Sequence, residues 1–268
     1  NDLTYTTTDG EVTITDCNTA ATGELIIPDT IAGNPVTSIG TNAFRDCTGL
    51  TNVTIPENVT SIGGDAFLNC TGLTEVTIPE NVTSIGTDAF LNCTGLTSVT
   101  IPDGVTTLGN GVFYRCRNLT SIIIPDSVTE IGVFVFGRCE NLTDVTIGNS
   151  ITELPDGLFN NCTSLRNIAI PDTVTSIGEG AFFRCTSLTS IVFVGSAPTS
   201  VANDAFTGLP NDASAIVLAE ERASFGEVGA KWNGVTIACN DGVLCWLTWT
   251  TTDGEVTITD CNTAATGE

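Results

Sequence analysis

Histidine is absent from all 268 residues, and Lys231 is the only lysine. The first absence removes the commonest general base and metal ligand. The second removes Schiff-base and serine–lysine chemistry, and the many serines are left with no base to activate them. Carboxylates abound, but solvated turns without an enclosing cleft do not build a hydrolytic pair. No C-x-x-C pair occurs among the 11 cysteines, which argues against zinc. Basic side chains are scarce too: 8 face 31 acidic ones, for a formal charge of -23. Such a chain is no ligand for nucleic acid or an anionic lipid surface. The acidity reads first as a solubility device, tolerable in salt. No run of 18 apolar residues is present, so membrane insertion is not expected. The chain opens on Asn1 without a secretory signal, the expectation for a processed or excised piece. What remains is a non-enzymatic protein with no cofactor.

What the sequence does contain is a period. Phe44, Phe67, Phe90, Phe113, Phe136, Phe159 and Phe182 follow one another at steps of 23 residues. Leucine keeps the same step from Leu50 to Leu188, and cysteine from Cys47 to Cys185. One unit reads Cys70, Leu73, Val76, Ile78, Pro79, Val82, Ile85, Gly86, Ala89, Phe90. Leu73–Ile78 alternates as a short strand does, with Val76 and Ile78 inward and Thr77 outward. Pro79 ends the pairing because it has no amide hydrogen. Val82 and Ile85 turn inward again, Gly86 permits a turn that a side chain would obstruct, and Ala89-Phe90 closes the coil in a short helical or irregular return. A single coil buries too little to offset the ordering of its backbone, so coils must stack and share strand hydrogen bonds. At about 4.8 Å per strand, eight or nine coils make a rod about 40 Å long.

The L-x-x-V-x-I-P strand and V-T-S-I-G-x-x-A-F return, as in Leu96–Pro102 and Val174–Phe182, strongly resemble the BspA-like leucine-rich repeats of bacterial surface proteins. The resemblance covers about residues 20–238. It implies a curved, right-handed solenoid, mainly β, with a strand-lined concave face. It also implies adhesion or host contact, as for some members, and an extracellular or cell-surface location. Residues 139–161 depart from the pattern, with Gly148 for the proline and Pro155 for the glycine, and local irregularity is expected there.

The expected organisation is a hairpin cap over 1–24, about eight repeats over 25–208, a C-terminal cap over 209–238, a linker over 239–246, and the start of a further module over 247–268. Asp9-Gly10 between threonine-rich runs is the turn signal of the first hairpin. The first repeat carries an insertion, Asp29–Pro35. Phe206 comes 24 residues after Phe182, one late, and the pattern dissolves there. A short helix over Glu220–Val228, a Trp232 plug and a strand Val235–Ala238 would complete the second cap. Thr250–Glu268 repeats Thr6–Glu24 residue for residue, with Trp249 in the place of Tyr5. A tandem array with a super-repeat near 244 residues is the expectation from that offset.

Several columns are candidates for function. The cysteine column reads as small buried thiols, with Cys17, Cys239, Cys245 and Cys261 outside it and a Cys239–Cys245 bridge a candidate clamp. Glu57, Glu80, Asp103, Asp126 and Asp172 follow the proline position; calcium bridging is one reading, a solvated face the other. A threonine column, Thr37 to Thr175, reads as family pattern before it reads as a lattice binder. Arg115, Arg138 and Arg184 form a basic stripe before cysteine, read as charge compensation or a contact for an acidic partner or a neighbouring module. On the strand face, the outward positions are Thr74, Glu75, Thr77, Thr97, Ser98, Thr100, Ser121, Ile123, Asp144, Thr146, Arg166 and Asn167. These are the candidate contacts for a protein or glycan partner, with specificity expected around Ile123, Arg166 and Ala169. The alternative is a structural link in a tandem-repeat fibre, without a specific ligand.

Overall fold

A computed structural model describes residues 3–217, Ser224, 235–240, 244–252 and 255–263. The chain winds into a β-solenoid whose coils each place one strand on each of two faces. The first, here the long-strand face, stacks segments such as Gly49–Thr54, Glu75–Thr77, Ser98–Val99, Ser121–Ile124, Asp144–Ile147 and Asn167–Ile170. The second, the short-strand face, stacks two-residue pieces such as Ser61–Ile62, Ser84–Ile85 and Thr107–Leu108. Pairing is parallel and keeps the sequence period: Val76 lies beside Val99, and Ile85 beside Leu108.

The core follows from the inward columns. Val76, Ile78, Val82, Ile85, Ala89, Phe90, Cys93 and Leu96 are all buried, and among the described residues no polar or charged residue is. The phenylalanines form one continuous stack, with ring centroids 4.8 Å apart at Phe44–Phe67 and 5.7 Å at Phe136–Phe159. Near-parallel rings at this spacing add about 0.5–1.5 kcal/mol per pair beyond area burial. Phe206, one residue late, still stacks its ring on Phe182 at 5.5 Å. The coils continue through Ser200–Val201, Ser214–Val217 and Thr236–Asn240, because the extra residue is absorbed between strands.

The returns are successions of turns, not helix. The reason is local. Each return holds two residues in the left-handed region, Asp65 and Asn69 in one coil and Asp88 and Asn92 in the next, which a right-handed helix cannot contain. The returns hold one another by backbone bonds, Phe67 N–H to the Ala89 carbonyl (2.7 Å) and Phe90 N–H to the Val112 carbonyl (2.8 Å). Gly86 has no positive φ, so its role is contact rather than turn conformation. A Cβ there would lie 2.5 Å from the Gly64 nitrogen of the preceding coil.

That glycine column also carries the ladder. Gly86 N–H donates to the Ile62 carbonyl, Gly109 to Ile85, and Gly132 to Leu108. Pro155 occupies the next position with no N–H and a bulky ring. The short-strand ladder stops there: Glu130–Ile131 and Glu153–Leu154 do not pair, and a new sheet starts with Glu153–Leu154. The irregularity expected for residues 139–161 thus has a definite form.

The ends carry the hairpins. Leu3–Thr8 and Glu11–Cys17 pair antiparallel, with Asp9 and Gly10 at φ 53° and 82°, the primed-turn conformation. Glu11–Cys17 pairs in parallel with Asn34–Ile39, so the hairpin covers the open end of the short-strand sheet. The Asp29–Pro35 insertion folds into a small antiparallel bridge, Thr30–Ile31 against Asn34–Ile39. At the far end Leu244–Thr252 pairs antiparallel with Thr236–Asn240 and with Glu255–Thr263, extending the long-strand sheet. The backbone register sets Cys239 opposite Cys245. The helix expected over Glu220–Val228 and the Trp232 plug fall outside the described residues, Ser224 excepted, whose Oγ accepts from Ala197 N–H at 2.9 Å.

Candidate site on the long-strand face

Thr74, Glu75, Thr77, Thr97, Ser98, Thr100, Ser121, Ile123, Asp144, Thr146, Arg166 and Asn167 are all exposed, on one face of the stack. They are not chemically equal. Thr74 Oγ1 donates to the Thr51 carbonyl (3.0 Å) and Thr97 Oγ1 to the Thr74 carbonyl (3.3 Å), the same carbonyls that their own N–H groups reach. Threonine here ties one coil to the last, and its hydroxyl hydrogen is already engaged. The column from Thr37 behaves alike, with Thr60 Oγ1 on the Thr37 carbonyl and Thr83 Oγ1 on the Thr60 carbonyl. A hydroxyl ladder built for a lattice would leave those hydrogens outward.

Ile123 differs from its neighbours. It sits on Ser121–Ile124 and is 63% exposed, an apolar side chain where adjacent coils place Thr100 and Thr146. Beside it lies a hollow of about 390 Å³, lined by Asp103, Ile123, Asp126, Ser127, Thr146 and Asn149 with the backbone around Pro125 and Gly148. Gly148, standing where other coils carry proline, opens this space by removing a ring. A Cβ on it would lie 2.7 Å from the Pro125 carbonyl. Asn149 N–H donates to Asp126 Oδ1 at 2.7 Å, and the Ser127 hydroxyl is buried with no hydrogen-bond partner. The hollow therefore sets apolar surface beside two carboxylates, with the Ser127 hydroxyl buried beneath its lining. Asp126 was legible only as a member of the acidic column, and Ser127 and Asn149 not as site residues, because in sequence they belong to the turn after the strand. Arg166 is exposed two coils beyond, replacing a threonine. Neither its N–H nor a hydroxyl reaches Thr143 as the threonines reach their predecessors.

The acidic column Glu57, Glu80, Asp103, Asp126 and Asp172 is exposed, and no group of three ligating side chains comes together among the described residues. The geometry gives calcium no cage there. Arg115, Arg138 and Arg184 take left-handed backbone at the position that Asp46, Asn69 and Asn92 hold elsewhere. The cysteines of the column are free and buried. From Cys70 to Cys185 each thiol donates to a phenylalanine carbonyl of an earlier coil, Cys93 Sγ to Phe67 at 3.1 Å and Cys116 Sγ to Phe90 at 3.2 Å, whereas Cys47 Sγ faces the Cys17 and Asn18 carbonyls. Burial pushes the Cys70 and Cys185 thiols up to about 12, and those of Cys93, Cys116, Cys139 and Cys162 well above the ordinary range. They are inert packing groups, not nucleophiles. Among the described residues no helix is long and apolar enough to cross a membrane.

Comparison with known proteins gives a consistent result. The description "BspA type Leucine rich repeat region" matches residues 24–122 and 106–220, in six copies. A leucine-rich-repeat protein of T. pallidum is 31% identical over 70% of this chain and 88% of its own, with a TM-score of 0.66. A leucine-rich-repeat protein of Bacteroides ovatus is 27% identical over 81% of this chain and 70% of its own, with a TM-score of 0.57. Among curated proteins no sequence matches significantly.

Proposed function

Because the chain belongs to the BspA-type leucine-rich-repeat family, we propose that it is a surface-presented recognition module that binds a protein or glycan through the long-strand face, centred on Ile123. The observation that carries this reading is the hollow beside Ile123, where an exposed apolar side chain stands in the column of Thr77, Thr100 and Thr146 and the carboxylates of Asp103 and Asp126 line the same space. An aliphatic anchor in a hollow with a polar rim is how binding energy is concentrated on a few residues. The chemistry of the face is binding chemistry: it offers a shape, hydrogen-bond acceptors and one exposed cation at Arg166. Its test is direct. Labelled protein is applied to epithelial cell layers and to a glycan array, alongside Ile123→Asp and Thr74→Val variants. Ile123→Asp is expected to lose at least about tenfold in retained protein, matching a hot-spot loss above 1.4 kcal/mol. Thr74→Val is expected to bind as wild type does. Equal retention of all three proteins would overturn the reading.

The structural alternative has one observation in its favour, the hairpin sequence of 6–24 repeated at 250–268, with Leu244–Thr252 and Glu255–Thr263 joined to the long-strand sheet. In that reading modules link end to end, and the face variation carries no ligand.

A further inference from the structure

A second hollow lies on the return edge, away from both strand faces. It measures about 290 Å³ and is lined by Asp88, Leu91, Asn110, Tyr114, Val133 and Phe134. Three features set it apart from the repeat. First, Phe134 has φ 55° in a column whose other members are Asn42, Asp65, Asp88 and the glycines 111, 157 and 180. The coil requires left-handed backbone in this column, so the departure is the residue: a bulky aromatic side chain stands where Asn, Asp or Gly carries that conformation with less strain. Packing does not require this one, because Phe134 is 40% exposed. Second, the ring pair is accommodated by its neighbours. A Cβ at Gly157 would run into the Phe134 ring, and one at Gly137 would lie 2.8 Å from the Tyr114 ring. Glycines in two adjacent coils thus seat Tyr114 and Phe134 edge to face, centroids 6.3 Å apart at 88°. Third, the Asp88 carboxylate at the wall accepts no hydrogen bond and joins no ion pair among the described residues, and its Asp65 neighbour adds a further negative charge.

The geometry points to a pocket for a basic side chain, lysine or arginine, presented by a partner protein. Two fixed aromatic rings and a carboxylate are what a desolvating cation needs: a ring face within about 6 Å and a counter-charge. Arg115 already holds its guanidinium 5.6 Å from the Tyr114 ring centroid, so the exposed Phe134 ring is the one that meets an incoming cation. A body of charge -23 draws cationic partners toward the pocket over distance. The volume lies at the lower bound of ligand pockets, enough for one side chain and not for an oligosaccharide. Of the polar groups at the wall, the Asn110 Oδ1 is already taken by Val133 N–H at 3.0 Å. This site is independent of the long-strand face, so either can fail alone.

The test is an amide-resolved NMR titration of the whole chain with Nα-acetyl-arginine amide and Nα-acetyl-lysine amide, with methyl glucoside and sodium chloride as parallel arms. Shifts confined to Gly111, Tyr114, Val133 and Phe134 are expected with the two cations, and at least a fivefold weaker apparent affinity in Asp88→Asn and in Phe134→Asn. Phe134→Asn places in this column a residue that Asn42 already shows it accepts, and amide dispersion outside the pocket reports that the coils remain intact. Shifts spread evenly along the acidic surface, shifts reproduced by sodium chloride, a response to methyl glucoside alone, or an unchanged affinity in both variants would each overturn the proposal.

Discussion

A thiol that cannot ionise inside the stack makes this protein sensitive to alkali. Cys70, Cys93, Cys116, Cys139, Cys162 and Cys185 all have pKa values raised by burial. The unfolded chain loses these protons near pH 9, whereas the folded one keeps them. Their contribution to stability is therefore complete below pH 9 and is lost as pH rises above it, toward about 12 for Cys70 and Cys185. All six groups push the slope the same way, and a fall of denaturant midpoints under reductant from pH 8 to 11 checks it. Cys116→Val is expected to lower the slope by about a sixth. Gly86 gives a second prediction at this scale. Because the obstacle to a Cβ is the backbone of the neighbouring coil, Gly86→Ala costs about 1–3 kcal/mol or more by overpacking, read from thermal melts. The sequence suggested a turn as the reason for glycine in this column, where the reason is contact. A close approach between coils leaves no trace in one coil's own residues. Phe134 and Tyr114 were missed for a related reason: each breaks its column, and only the glycines facing them in three dimensions reveal what the breaks are for.

Strands and turns were legible because the period repeats them, with Val76 and Ile78 inward and Thr77 exposed as alternation requires. The returns were not settled by periodicity, since short apolar segments read alike as helix or turn. Pairs of left-handed Asp and Asn residues decide them. The odd coil at 139–161 was visible as two substitutions, and its consequence follows from hydrogen bonding. Pro155 cannot give the bond that Gly132 gives to Leu108, and on the opposite face Arg166 does not give the bond that Thr143 gives to Thr120. Coils in a solenoid are held only by nearest neighbours. Hydrogen exchange is accordingly expected to be fastest among the core strands in Glu130–Ile131 and Glu153–Leu154, and slower in Ser84–Ile85 and Thr107–Leu108. Uniform protection along the rod would contradict this.

Taken whole, the molecule is a stack whose ends and charge need managing. Deleting residues 1–17 uncovers the edge of Asn34–Ile39, and light scattering is expected to register association of the shortened chain. Charge of -23 on one rod repels itself, so the melting temperature is expected to rise between 10 and 300 mM sodium chloride as screening shortens to several ångströms. The end hairpins were readable from Asp-Gly turns, and the duplicated one from identity alone. The sheet each joins was not, because the second hairpin strand, Glu11–Cys17, pairs in parallel at one end, whereas at the other the first, Leu244–Thr252, pairs antiparallel. The seam at Pro155 has a mechanical corollary. Pulled lengthwise in an optical trap, the rod should part there first, yielding in two rips instead of one, so that a tether made of such modules would lengthen under load before it tears.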